Sequence, residues 1–220
     1  MPLTDLQIES LFKFTQKKFV HYYDLQLELV DHLASSIEDE MVANPNLDFE
    51  YALQKVYNRF GIFGFAKVVQ EKSAALHKNN WRIWRSAVKE FFTIPKIAFT
   101  IAIFFAAIFL GKYLPPDFKA IIIAVTWMCY AIYEIHNFKI TRKINSKKLL
   151  LTEATSFSSG IGLIGPQIVI QISWASYHNN FVFATIFVLI IILESAVIKV
   201  NKTVRKKAMD LYPEAFVISS

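Results

Sequence analysis

Glu28-x-x-Asp31-His32 is the densest set of residues that could do chemistry, with a carboxylate and an imidazole one helical turn apart and Asp24 one turn earlier. That spacing suits a carboxylate/imidazole metal site, but a single imidazole is available, and the set also reads as a solvated acidic face. Gly160-Ile161-Gly162-Leu163-Ile164-Gly165 spells a dinucleotide fingerprint. The fingerprint needs a strand before it and a helix after it, whereas here it lies in a long apolar stretch, where small residues serve close helix packing and Pro166 bends the chain. Cys129, the single cysteine, is also surrounded by apolar residues and reads as a bundle position. No Walker, zincin or nucleophile-elbow motif is present, and the five histidines are scattered at 21, 32, 77, 136 and 178. The sequence therefore predicts no catalytic residue, no cofactor-binding residue and no metal ligand, and no enzyme.

Polar groups inside apolar stretches form a second set. Glu134, Glu153 and Glu194 fall near the ends of such stretches, with His136 close by, and pairing with neighbouring Lys or Arg is the expectation for them. At steps of three and four, Glu153, Ser156, Gly160, Leu163, Gln167 and Gln171 form one polar and small stripe. Interhelical glue is the first reading of that stripe, and a path for a substrate or ion is the second.

The elements that must hold these residues divide sharply. The chain has 220 residues, 54% hydrophobic and 15% aromatic, with a mean hydropathy of +0.35. Those values exceed an ordinary soluble composition and point to membrane spans. Residues 1 to 72 carry 11 acidic and 7 basic side chains, and residues 73 to 220 carry 7 and 17. The N-terminal stretch lacks a basic segment followed by an apolar core, so the reading keeps it in the cytoplasm.

Periodicity predicts an all-α protein. Thr4-x-x-Gln7 starts a helix over 4 to 17, a second runs over 20 to 43 with apolar Leu25, Leu29, Leu33 and Ile37 on one side, and a third, opened by Asp48 and stopped by Gly61, runs over 49 to 60. Another begins near Phe65. These make a cytoplasmic module over 1 to 75. Trp81 and Trp84 beside Arg82 and Arg85 predict an interfacial helix over 76 to 92. Four spans are expected near 93 to 114, 118 to 138, 149 to 174 and 180 to 199, followed by a basic tail over 200 to 220. Fifteen Lys and Arg flank one side of these spans, against Lys112 and Lys119 on the other. Both termini should then be cytoplasmic in a multi-pass inner-membrane topology, with the basic flanks meeting anionic headgroups rather than nucleic acid.

The segments Tyr22-Tyr23-Asp24-Leu25-Gln26-Leu27-Glu28-Leu29-Val30-Asp31-His32-Leu33, Ile37-Glu38-Asp39-Glu40, Glu50-Tyr51-Ala52-Leu53 and Phe60-Gly61 resemble the bacterial HAAS signalling domain over about residues 15 to 72. The resemblance implies a small helical module ahead of membrane spans, with a PadR-type regulator or another cytosolic protein as its partner. It makes Asp24, Glu28, Asp31, Glu38, Asp39 and Glu40 the expected partner-binding face. The resulting expectation is a non-enzymatic membrane regulatory or signalling protein, which could be a homo-oligomer. The alternative is a small oligomeric transporter or ion-conducting protein using the third span.

Overall fold

The computed structural model describes residues 2–144, 147–155 and 179–216. The described residues are helical and contain no strand. In chain order they form α1 (Asp5–Lys17), α2 (Tyr23–Ala43), α3 (Phe49–Asn58), α4 (Phe65–Glu90), α5 (Lys96–Gly111), α6 (Pro116–Ile144), α7 (Leu150–Glu153) and α8 (Asn180–Leu211), then a 3-10 turn at Pro213–Ala215. The chain divides into two compact units. One holds Met1–Leu76, Asn145–Ala154 and Ala208–Ser220, and the other His77–Ile144 and Thr155–Lys207.

The first unit is built on α1, α2 and α3. At the start of α1 the expected capping box forms: Gln7 N donates to Thr4 Oγ1 at 3.4 Å and Thr4 N donates to Gln7 Oε1 at 2.8 Å. A left-handed Phe19 (φ 66°) turns the chain into α2, which starts at Tyr23 rather than 20, and Gln26 Nε2 ties the turn down by donating to Val20 O at 2.6 Å. Asp48 occupies the N-cap position of α3, but its side chain makes no cap bond. Leu11, Leu25, Leu29, Leu33, Ile37, Leu53, Val56 and Phe65 interlock as the core. Leu150 joins them, although the sequence reading placed it in the third span. α4 is one continuous helix from Phe65 to Glu90, where the periodicity suggested two pieces, because no Gly or Pro interrupts it.

In the second unit, α5, α6 and α8 meet through Ala107, Ile123, Phe183 and Ala184, the small residues allowing close approach. Phe99, Phe105 and Phe109 on α5, and Ile121, Met128 and Ile132 on α6, are each at least half exposed. Two helices are long and apolar enough to cross a membrane, α6 over Pro116–Asn137 and α8 over Asn180–Leu211. The four expected spans therefore appear only in coarser form. The first, expected over 93 to 114, shortens to the 16 residues of α5, about 24 Å long at 1.5 Å per residue, because Pro95 cannot donate into a helix and sits at its N-cap. Beyond Thr155 the third expected span lies outside the described residues.

Polar contacts gather at the two ends of these helices. At one end Lys119 Nζ donates to Asn180 Oδ1 at 2.5 Å, and Gly111 lies so near Asn180 and Phe183 that an added Cβ would come within 3.3 Å of the Asn180 side chain. At the other, Glu90 pairs with Lys96 at 2.8 Å and with Lys199, and Asn201 Nδ2 donates to both Glu134 oxygens at 2.9 and 3.0 Å. The stretch of α8 between Asn180 and Lys199 is about 28 Å long, close to the ~30 Å thickness of bilayer hydrocarbon.

Candidate functional site

The site that stands out is a buried junction around Asp24, on the first turn of α2. A helix needs partners for its first N–H groups, and α7 has Leu149 at its N-cap, a residue with no side chain to offer. Asp24 supplies them from 126 residues away. Its Oδ1 accepts from Leu150 N at 2.8 Å and its Oδ2 from Leu151 N at 2.9 Å, while Leu25 N also donates to Oδ1 at 3.1 Å. A negative charge at a helix N-terminus is favoured by the helix dipole as well as by these charge-assisted bonds.

The flanking chain is fastened too. Tyr23 N donates to Lys148 O at 2.8 Å. Lys147 Nζ lies 3.7 Å from the centre of the Tyr23 ring and Lys148 Nζ 5.0 Å from that of Tyr22, so two cations cover two consecutive aromatic faces. Leu149, Leu150 and Leu151 are all buried. The C-terminal tail feels the charge of this junction. Burial first, and the Asp24 carboxylate next, push the Tyr212 phenol above its ordinary range, with the Lys72 cation opposing them. Chemically, a carboxylate that already accepts from three N–H groups holds structure, and here it joins distant segments of one chain.

Of the six residues of the expected partner face, Asp24 is buried, three others are paired within the unit, and Glu28, Asp31 and Asp39 are exposed. Asp24 is a correction: it is 8% exposed and faces inward, because α7 needs its charge more than solvent does. Glu28 pairs with Lys72 at 2.5 Å. Glu38 Oε1 accepts from Leu3 N at 2.8 Å, and Glu40 pairs with Lys55 at 2.6 Å and with Arg59. Asp31 and Asp39 are exposed. The acidic run is thus partly a set of internal struts. His32 sets its ring edge-on to Phe60, with centroids 6.1 Å apart, and among the described residues no group of three or more His, Cys, Asp or Glu could hold a metal ion.

The remaining residues divide by location. Glu153, the first member of the membrane polar stripe, belongs to the first unit and lies 3.7 Å from Lys148. Ser156, Gly160, Gln167 and Gln171 lie outside the described residues, as does the glycine fingerprint. Trp81 and Trp84 stack edge to face at 5.2 Å, with Arg82 and Arg85 exposed beside them on α4. Cys129 is exposed on α6.

Sequence reasoning missed the Asp24 junction. Its one signal was the match between Tyr22-Tyr23-Asp24 and Lys147-Lys148, two aromatic rings and an acid against two cations, which nothing local connects. Comparison with protein families, with curated proteins and with solved structures finds no match to this chain.

Proposed function

We propose that the chain is a non-enzymatic, multi-pass inner-membrane regulatory protein with both termini in the cytoplasm, in which a cytoplasmic helical module binds a soluble partner. One observation carries the topology. The first unit combines residues 1–76, 145–154 and 208–220, three stretches that a four-span chain with cytoplasmic termini leaves on the same side of the bilayer. A folded unit cannot be threaded through hydrocarbon, so an even number of crossings must separate its segments. α5 and α6 supply one pair. α8 supplies one crossing of the other, whose partner is the third span that hydropathy leads one to expect. This parity is independent of the fifteen-to-two asymmetry of Lys and Arg, and the two agree.

The regulatory part of the reading rests on the resemblance to the HAAS domain and on Glu28, Asp31 and Asp39, the three acids of the expected face that stand exposed. A soluble partner, a PadR-type regulator on that resemblance, would meet them through complementary charge. The basic flanks of the spans, with Trp81 and Trp84, suit anionic headgroups.

The test uses single cysteines in a Cys129→Ala background. Lys112→Cys should react with an impermeant maleimide in intact cells, and Lys202→Cys only after lysis. The reverse pattern, or equal reactivity at both, refutes the topology. In the same background Asp31→Lys with Asp39→Lys should abolish co-purification of a soluble partner from native membranes. Undiminished recovery moves the partner elsewhere.

A further inference from the structure

Between α3 and α4 the chain reads Phe60-Gly61-Ile62-Phe63-Gly64-Phe65. Gly64 N donates to Gly61 O at 3.1 Å, which closes a tight turn with Ile62 and Phe63 at its two corners. Turn corners ordinarily carry Gly, Pro, Asn, Asp or Ser. Here they carry two of the least soluble side chains, and both project outward, Ile62 101% and Phe63 75% exposed.

The turn is built to hold them there. Gly61 and Gly64 both have positive φ, 72° and 50°, a region that other residues rarely adopt. A Cβ on Gly64 would lie 2.4 Å from the Tyr57 hydroxyl, so the backbone is pressed onto that ring. Beneath the turn, Phe65 is buried and packs edge to face with Phe60, Tyr57 and Phe14 at 4.9, 5.0 and 6.2 Å. A rigid aromatic base thus carries an apolar tip.

One cation lies against the base, and ion pairs flank the turn. Lys18 Nζ lies 4.5 Å from the centre of the Tyr57 ring, and the next residue, Phe19, is 82% exposed. Arg59 precedes the turn and pairs with Glu40, and Lys67 follows it, 3.9 Å from Glu71. An apolar projection with Lys18 at its base and ion pairs at its rim matches a bilayer surface, where hydrocarbon takes the side chains and the headgroup layer takes the polar rim. The turn also opens α4, the helix that leads directly to α5 and α6, so a bilayer is held at high effective concentration around it.

We propose that Ile62 and Phe63 form a membrane-inserting tip of the first unit, seated in the headgroup and upper acyl region of an anionic bilayer. This inference rests on the membrane part of the proposed function. The experiment therefore carries a control that separates the two.

The full chain is reconstituted into phosphatidylethanolamine/phosphatidylglycerol vesicles with an environment-sensitive fluorophore on Ile62→Cys in a Cys129→Ala background. Because Ile62 touches little, the substitution leaves the fold intact. A second sample carries the fluorophore on native Cys129 of α6, and a third on Asp31→Cys as an aqueous reference. The expected result is blue-shifted emission from position 62, quenched at least two-fold by lipids brominated on their acyl chains and shielded from aqueous iodide, like position 129 and unlike position 31. If position 129 is quenched by brominated lipid while position 62 is open to iodide, the tip inference fails and the membrane reading stands. If position 62 is blue-shifted but indifferent to brominated lipid, a protein surface covers the tip, and the inference fails again. If position 129 is itself open to iodide and untouched by brominated lipid, both readings fall.

Discussion

Replacing Asp24 by Asn tests whether one carboxylate fastens the 147–154 segment to α2. The substitution keeps the shape and removes the charge. In the native junction the two oxygens each accept a buried α7 N–H, at 2.8 and 2.9 Å, and hydrogen bonds to a charged group contribute about 1.5–3 kcal/mol each. An Asn side chain can answer only one of these donors, and more weakly, while its NH2 group confronts the other. The net loss comes to about 3 kcal/mol, or roughly 100-fold in the docking equilibrium at 1.4 kcal/mol per factor of ten. Hydrogen exchange on the full chain reads this directly. Amides of Leu150, Leu151 and Thr152 should exchange roughly 100-fold faster in the variant, by that same conversion, and trypsin should reach Lys147 and Lys148 more readily. Peptides from α1 and α3 should change little, since their core contacts are with one another and with α2. Exchange within about threefold of wild type across 149–154 would refute the role given to the carboxylate, since ~0.7 kcal/mol is less than one such bond.

Further expectations concern backbone and charge. Gly64→Ala should destabilise the first unit by about 1–3 kcal/mol through strain at positive φ and the close Tyr57 hydroxyl, whereas Gly61→Ala, with open space around its Cβ, should cost only about 1 kcal/mol; adding Tyr57→Phe to Gly64→Ala should recover part of the loss in thermal melting. Hydrogen bonds from Lys199 and then Lys96 hold the Glu90 carboxyl down to about 2 from an ordinary 4.5. A depressed acid stabilises fully above the ordinary value and loses that contribution as pH falls from 4.5 towards 2, so the melting-temperature gap between wild type and Glu90→Gln should be open at pH 6 and narrow steadily as pH is lowered from 4.5 towards 2.

Local signals account for what could be read without the structure. The Thr4/Gln7 capping box, the Leu25-Leu29-Leu33-Ile37 stripe and the stop at Gly61 each lie within a few turns of what they specify, and the helices α1 to α3 follow them to within three residues. The Asp24 junction lay beyond that range. Leu149-Leu150-Leu151 ahead of a long apolar stretch reads as the mouth of a span because hydropathy reports the wish to leave water without saying whether lipid or a protein core receives the side chain. Here a protein core does. For the same reason the acidic run of α2 resembled a free surface. Net charge does not disclose that Lys55 and Arg59 of the α3 end, Lys72 of α4 and the Leu3 amide take up Glu40, Glu28 and Glu38. Pro95 lies inside the apolar stretch that hydropathy marks as a span, and because it cannot donate into a helix α5 starts only after it.

The discontinuity of the first unit gives its folding a timetable. Phe65, a core residue anchored at the start of α4, is made 85 residues before Leu150, which packs into the same core. At about 5–20 residues per second the ribosome needs roughly 4 to 17 s to cover that distance, and roughly 3 to 13 s more to deliver Ala215 and Phe216, which are also buried. Helices of this length form and collapse in well under a millisecond, so α1, α2 and α3 must wait with the place of Leu150 unfilled and the Asp24 carboxylate without its α7 donors. During that wait the nascent unit presents an open apolar slot beside a buried acid. It is then at its most vulnerable to proteases and to non-native pairing, and arrival of the Leu149–Leu151 segment ends the exposure.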